Sequence, residues 1–209
     1  YSSLTVPGQK VDGAAGDASN PDPANPGATV SRFHQSAYCF DNPAETWDDV
    51  HRDLDDGKLD GFTKQNAADD GAHDPSGRRA MGYYDETDLP FYYWLARTVA
   101  LSDRHFCSVL GPTFPNRLYY MAGTSFGVID DSLPPATDAK GNPYPNLFTR
   151  LNDAQVSWTV YSQDLPTIAM LTQTWSENTS HLAGQDDFFA AAKAGTLPSV
   201  SFVEGSDRT

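Results

Sequence analysis

The stretch Gly111-Pro112-Thr113-Phe114-Pro115-Asn116-Arg117, followed by the apolar run Leu118-Tyr119-Tyr120-Met121-Ala122, constrains this chain more than any other part of it. Pro115 fits the first turn of a helix, where a missing N–H leaves nothing unpaired. Leu118 to Ala122 can carry that helix on until Gly123 ends it. Thr113 then sits just ahead of a helix N-terminus, whose unpaired N–H groups and positive dipole end favour an anion. A phosphoryl group bound there would meet the Thr113 hydroxyl as nucleophile and Asn116 as a neutral donor to its oxygens. An ordinary capping threonine before a proline-started helix fits the same spacing, so the residues alone leave both readings open.

The surrounding pattern alternates. Phe106 to Leu110 predicts a buried strand feeding the Thr113 turn, with the site at the strand's carboxyl end. Leu89 to Leu101 predicts a helix, capped by Thr87 or Asp88, with Pro90 in its first turn and apolar residues on nearly all sides, hence buried. Residues 43 to 54 predict a short helix capped near Asn42, with Trp47, Val50 and Leu54 on one face. Further on come a helix from Leu147 to Ala154, a strand from Val156 to Tyr161, a helix from Asp186 to Ala194 stopped by Gly195, and a strand from Ser199 to Val203. Residues 7 to 29, 66 to 79 and 130 to 146 read as loops. Such alternation argues for an α/β class with a mostly parallel sheet, and no internal repeat is visible.

With 28 acidic residues against 14 basic, the net charge of −14 excludes nucleic acid and anionic lipid surfaces as bulk electrostatic partners. A phosphate ester is still compatible, because a metal ion or helix terminus can reverse the sign locally. No apolar run approaches the ~20 residues that span a bilayer. The two cysteines, Cys39 and Cys107, are too few for a disulfide framework and could be bridged or free. No leader sequence is visible at the start.

One family matches these residues. Met81-Gly82-Tyr83-Tyr84, Asp88-Leu89-Pro90-Phe91-Tyr92, Ala96 and the run Asp103 to Tyr119 closely resemble the bacterial phosphoesterases that include phospholipases C and related acid phosphatases, of the alkaline phosphatase superfamily. Phe33-His34, Tyr38-Cys39, Trp47, His51 and Gly57 to Phe62 fit upstream; Val156-Ser157-Trp158, Tyr161, Gln163 to Pro166 and Gly195 to Val203 fit downstream. The resemblance implies a three-layer α/β sandwich with a mostly parallel central sheet, residues 1 to 209 being part of one catalytic domain with a loop-rich segment at 1 to 30. It implies hydrolysis of a small-molecule or phospholipid phosphate ester through a phosphothreonine at Thr113. Thr113 would also bind a divalent metal ion, which lowers the nucleophile's pKa, and Asn116 would stabilise the transferred group. His34, His51 and Arg117 become candidates near the phosphoryl pocket, and Glu204 and Asp207 weak candidates for the metal region. Family members are usually exported, so a secreted or periplasmic location is implied. One departure stands out: two residues before Trp47 the family usually has a histidine, and this chain has Glu45.

Gly123-Thr124-Ser125-Phe126-Gly127 matches the nucleophile elbow of serine esterases, which would make Ser125 the nucleophile, but the sequence predicts a helix before it where a strand is required. The acidic clusters Asp48-Asp49, Asp53-Asp55-Asp56, Asp69-Asp70 and Asp130-Asp131 lack calcium-loop spacing and read as solvated surface. His105 reads as a packing residue, His73 and His181 as surface ones, and Asn178-Thr179-Ser180 is a glycosylation sequon. The early acidic-Asn strand and the late acidic pair of the family are not found between Tyr1 and Thr209, so the chain reads as an internal portion of a longer protein. A truncated, non-catalytic domain with a binding role is the alternative. The source protein should accordingly have an intact mass several kilodaltons above the 22.8 kDa of these residues, and a mass equal to it would refute the expectation.

Overall fold

In the computed structural model, which describes residues 4, 11–13, 16–138, 140–142 and 144–205, the chain forms two units, Tyr1–Gly111 and Pro112–Thr209. It is a mixed α/β structure with small sheets, some of them parallel.

The first unit begins with an element the composition hides. Strands β1 (Ser19–Pro21) and β2 (Thr29–Ser31) pair antiparallel, with Asn20 opposite Val30, inside the stretch expected to be irregular. The Pro- and Asn-rich turn between them is closed by Asp22, whose carboxylate accepts from Ala24 N and from Asn25 Nδ2, each at 2.9 Å. The part of that expectation falling on residues 7–10, 14 and 15 lies outside the described residues. Strand β3 (Phe33–His34) follows. Helix α1 (Trp47–Leu54) starts later than expected: its cap is Thr46, in a capping box with Asp49, rather than Asn42. Helix α2 (Phe62–Asp69) runs on into the stretch from residue 66 that was expected to be loop. Its inner face is polar, with Thr63, Gln65 and Asn66 buried, so no apolar stripe announces it. Hydrogen bonds hold it instead: Thr63 Oγ1 donates to Pro21 O at 2.6 Å, and Asn66 Oδ1 accepts from Ala44 N at 3.1 Å. Glycine is required on either side of it, since a Cβ at Gly61 would lie 2.1 Å from Arg52 O and one at Gly77 1.9 Å from Thr63 O.

Strand β4 (Gly82–Tyr83) pairs parallel with β3. Helix α3 (Pro90–Thr98) forms where the sequence placed it, with Pro90 in its first turn, but it is not buried all round. Only Tyr93 and Ala96 are buried, against Leu4, Val11, Leu89 and Leu101, while Phe91, Tyr92, Trp94 and Val99 are exposed. The cap differs too: Leu89 precedes the helix without a side-chain bond. The expected strand Phe106–Leu110 is absent: the segment is a series of bends, and Phe106 is 81% exposed. Apolar residues alone do not make a strand where, among the described residues, no neighbouring strand pairs with them. Cys39 and Cys107 are both free and exposed.

The second unit follows the sequence closely. Helix α4 (Thr113–Ala122) ends at Gly123, which takes the left-handed conformation, φ 72°. Helix α5 (Leu147–Asp153) is capped by Asn146 in a capping box with Thr149. Strand β5 (Trp158–Tyr161) leads through a single turn at Thr167–Met170 into α6 (Thr172–Glu177), then β6 (Leu182–Ala183), α7 (Gln185–Ala194, ended by Gly195) and β7 (Val200–Val203). The sheet is parallel in the order β6-β5-β7, with Val160 opposite both Leu182 and Phe202. Leu118 and Met121 of α4, Phe148 of α5, Trp158 and Val160 of β5 and Ile168 form the core. The predicted loop over 130 to 146 is a loop in its described part. The sequon asparagine, Asn178, is buried and donates through Nδ2 to Thr174 O at 2.7 Å.

One buried group in the first unit works against stability. Asp53, on the inner face of α1, is 6% exposed and its Oδ1 has no partner. Burial, and then the negative charge of Asp49, push its pKa up to about 6 from 3.8. Because the folded value lies above the unfolded one, stability falls as pH rises from 3.8 to about 6 and stays lower above it. Asp53→Asn should therefore stabilise the protein at pH 7 by at most about 3 kcal/mol, with the gain vanishing below pH 3.8. Denaturant melts at the two pH values measure it.

Candidate functional site

Two buried prolines, Pro112 and Pro115, set the start of α4. Pro112 is extended (φ −71°, ψ −172°) and offers no capping side chain. Thr113 is therefore the first residue of the helix rather than the one ahead of it, because the proline ring fixes the turn one position earlier. Of the first three helical N–H groups, which have no partner inside a helix, Pro115 supplies none, leaving those of Thr113 and Phe114. The Phe114 N–H donates to Asp131 Oδ1 at 3.0 Å, so a carboxylate oxygen already occupies this helix start. Thr113 is exposed. Asn116 turns its carboxamide back on the helix start, Nδ2 donating to Pro112 O at 3.1 Å.

Arg117 is one turn further along α4 and donates to the Thr167 hydroxyl. Thr167 in turn gives both its N–H and its hydroxyl proton to Glu204 Oε2, at 2.7 and 2.9 Å. Glu204 follows β7 directly, its N–H donating to Tyr161 O at 2.9 Å, and Gln185 Nε2 holds its carbonyl at 2.7 Å. Arg117, Thr167 and Glu204 thus form one chain of hydrogen bonds beyond the carboxyl ends of β5 and β7, where parallel sheets of α/β proteins present their ligands. Asp207, the other residue expected in this region, lies outside the described residues.

Thr167 and Asp131 were not singled out as site residues. Thr167 carries no sequence signal. Asp131 reads from sequence, with Asp130, as solvated acidic surface; its signal is a carboxylate downstream of a helix start that lacks a capping side chain. Ser125 is buried, in the turn between α4 and Gly127, and so lacks the strand-to-helix setting of an esterase elbow.

The two histidines of interest belong to the first unit. His51 Nδ1 donates to Trp47 O at 2.7 Å, and its ring lies 4.4 Å from the Trp47 ring. His34 Nε2 lies 2.7 Å from Asp88 Oδ2 and 3.8 Å from Asp85 Oδ2. Among the described residues, His34, Asp85 and Asp88 are the group of three whose donor atoms could converge on a metal ion. These carboxylates already have work: Asp88 Oδ2 accepts from Asp85 N at 2.8 Å, and Asp85 Oδ1 from Thr87 N at 2.8 Å. Glu45 is exposed.

A family model describing the Phosphoesterase family matches residues 4–206. The chain belongs to the Phosphoesterase family. Phospholipase C B of Mycobacterium tuberculosis is 41% identical over 93 residues, 41% of this chain and 17% of that protein. Non-hemolytic phospholipase C of Pseudomonas aeruginosa is 28% identical over 138 residues, 62% and 18% of the two chains. Non-specific phospholipase C5 of Arabidopsis thaliana is 29% identical over 154 residues, 73% and 28%. The chain thus spans only a fraction of the length of the curated relatives it matches, 17 to 28% in these three. In the Phosphoesterase chain, no helix among the described residues is long and apolar enough to cross a membrane.

The His34 contact has a pH signature. Hydrogen bonding to Asp88, helped by the charges of Asp88 and Asp85, raises the His34 pKa above 6.5. The Asp85 N–H and then His34 lower that of Asp88 below 3.8. The raised histidine contributes stability below pH 6.5 that is lost as pH rises through its folded value. The lowered aspartate contributes above pH 3.8 and loses it as pH falls through its own folded value. The contact is therefore strongest between pH 3.8 and 6.5. His34→Ala should flatten the fall in melting temperature between pH 6 and 8, and an unchanged slope would show that another group causes it.

Proposed function

We propose that this chain carries the nucleophile of a phosphoric ester hydrolase, with Thr113 attacking phosphorus. What carries the reading is the start of α4: an exposed hydroxyl beside two N–H donors, one of which already holds a carboxylate oxygen, in a chain of the Phosphoesterase family. A bound phosphoryl oxygen would take the place of the Asp131 oxygen at the Phe114 N–H. Thr113 Oγ then forms its bond to phosphorus in line with the departing alcohol oxygen, which takes up a proton from solvent as the threonine gives one up. Water hydrolyses the phosphothreonine and restores the hydroxyl. Backbone N–H groups at the helix start, with Asn116, stabilise the charge on the transferred group.

The phospholipase C relatives support a phosphate ester, phospholipid or small, as substrate, and an exported protein. The family resemblance supports placing residues 1 to 209 in one catalytic domain, a three-layer sandwich of the alkaline phosphatase superfamily type. It also supports dependence on a divalent ion. At the helix start, however, one hydroxyl and one carboxylate, Thr113 and Asp131, fall short of the three protein ligands that catalytic divalent sites use, so no step above is routed through an ion.

In the full-length protein, Thr113→Ala should lower turnover of an aryl phosphate at least about a thousandfold with the melting temperature preserved. Acid quenching during turnover should trap a phosphate on Thr113, located by peptide mass. A phosphorylated peptide elsewhere, or full activity of the variant, would move the nucleophile. Dialysis against a chelator, followed by single divalent ions, tests the metal separately.

A further inference from the structure

Helices commonly take their first acceptor from the residue just ahead of them, as α1 and α5 do from Thr46 and Asn146. Helix α4 does not, because Pro112 has no side-chain acceptor. Its Phe114 N–H is served instead by Asp131, seventeen residues away in sequence, at 3.0 Å. This substitute differs from a local cap in one respect: it stands on another segment, so it can leave without unwinding the helix.

The segment that carries it is built as an arm. The chain doubles back from the end of α4 through Gly123, Phe126 and Gly127, all with positive φ. Phe126 and Val128 pack against the core, the Phe126 ring lying 4.3 Å from that of Tyr144, and Pro134 is buried again. Residues 129 to 133, between these two anchors, are exposed. Within this span the Asp130 carboxylate is turned onto its own loop, accepting from the N–H and the hydroxyl of Ser132, while that of Asp131 reaches the helix. Thr113 and Asp131 are both exposed, so a ligand reaches the contact directly from solvent.

A phosphoryl oxygen and the Asp131 oxygen compete for the same N–H. Both are anionic, so a bound phosphate repels the carboxylate as well as replacing its hydrogen bond. The affinity measured for phosphate is then the intrinsic one reduced by the fraction of molecules in which the arm is open.

We propose that Asp131 is an internal competitor for the phosphoryl group. Its carboxylate closes the start of α4 in the free protein, yields to the substrate, and returns to the Phe114 N–H as inorganic phosphate leaves. The proposal rests on the reading of Thr113 as nucleophile and adds to it a device against product inhibition. Asp131 makes and breaks no covalent bond; it acts only through the donor it occupies.

The test is a calorimetric titration of the full-length protein with inorganic phosphate, as wild type and as the Asp131→Ala and Asp131→Asn variants. Asp131→Ala should bind phosphate about tenfold more tightly, and Asp131→Asn, which keeps an acceptor but no charge, more tightly by a smaller factor. Melting temperatures separate competition from plain capping. Without phosphate, Asp131→Ala should melt below the wild type, having lost a cap. In saturating phosphate the difference should disappear, because the ligand has displaced Asp131 in the wild type as well. An unchanged or weaker phosphate affinity, or a melting difference that persists in saturating phosphate, would reduce Asp131 to a cap and overturn the proposal. Acid quenching of the same proteins during turnover keeps the two readings apart. Phosphate recovered on Thr113 retains the nucleophile whichever way the affinities fall, and phosphate recovered on another residue overturns both.

Discussion

Four residues of β5 hold the second unit together. Trp158 to Tyr161 pair along their length with β7, Val160 and Tyr161 pair also with β6, and the Trp158 and Val160 side chains meet Phe148 and the α4 residues Leu118 and Met121 in the core. A strand used on both edges and packed on its face cannot shift register without carrying its neighbours along. Trp158 adds a polar anchor, its Nε1 donating to Asn152 Oδ1 at 2.9 Å. The pitch of α4 against this strand, and the reach of Glu204 to Thr167 beyond its end, both follow. The site is therefore no firmer than the packing of β5, and substitutions at Trp158 or Val160 would loosen chemistry that neither residue touches.

Legibility in the sequence tracked the kind of force that forms each element. Helices α4, α5 and α7 were readable because each has explicit punctuation: Pro115 and Gly123, Asn146, and Gly195. Strands β5 and β7 were readable as short apolar runs between turns. Helix α2 was not, because Thr63 and Asn66 secure it by hydrogen bonds to Pro21 and Ala44, far away in sequence. The hairpin of β1 and β2 was hidden by the same prolines and asparagines that build its turn. Phe106 to Leu110 misled in the opposite sense, being apolar without a partner strand. For the candidate site, Thr113 and Asn116 were visible from local spacing on one helix, and Arg117 through the family resemblance. Asp131 and Thr167 come from other segments, and only three-dimensional proximity identifies them.

Electrostatics sharpen the division between the two units. A chain with net charge −14 must keep carboxylates from repelling one another, and several are offset by accepting N–H groups in their own turns, as Asp22, Asp85 and Asp138 are. Asp53 is not, being buried with an unpartnered oxygen beside the charge of Asp49. In the second unit Arg117 is held by a hydroxyl rather than directly by a carboxylate, which leaves its positive charge less neutralised than a bidentate ion pair would.

The closed position of Asn178 sets an order of events. Its amide nitrogen, the atom a glycan would join, is tucked against the Thr174 carbonyl in the finished unit. A sugar can be attached there only on a chain that has not yet folded, and once attached it would keep α6 from closing. The folded unit is therefore closed to modification at this position, and the match to a sequon reads as a chance one.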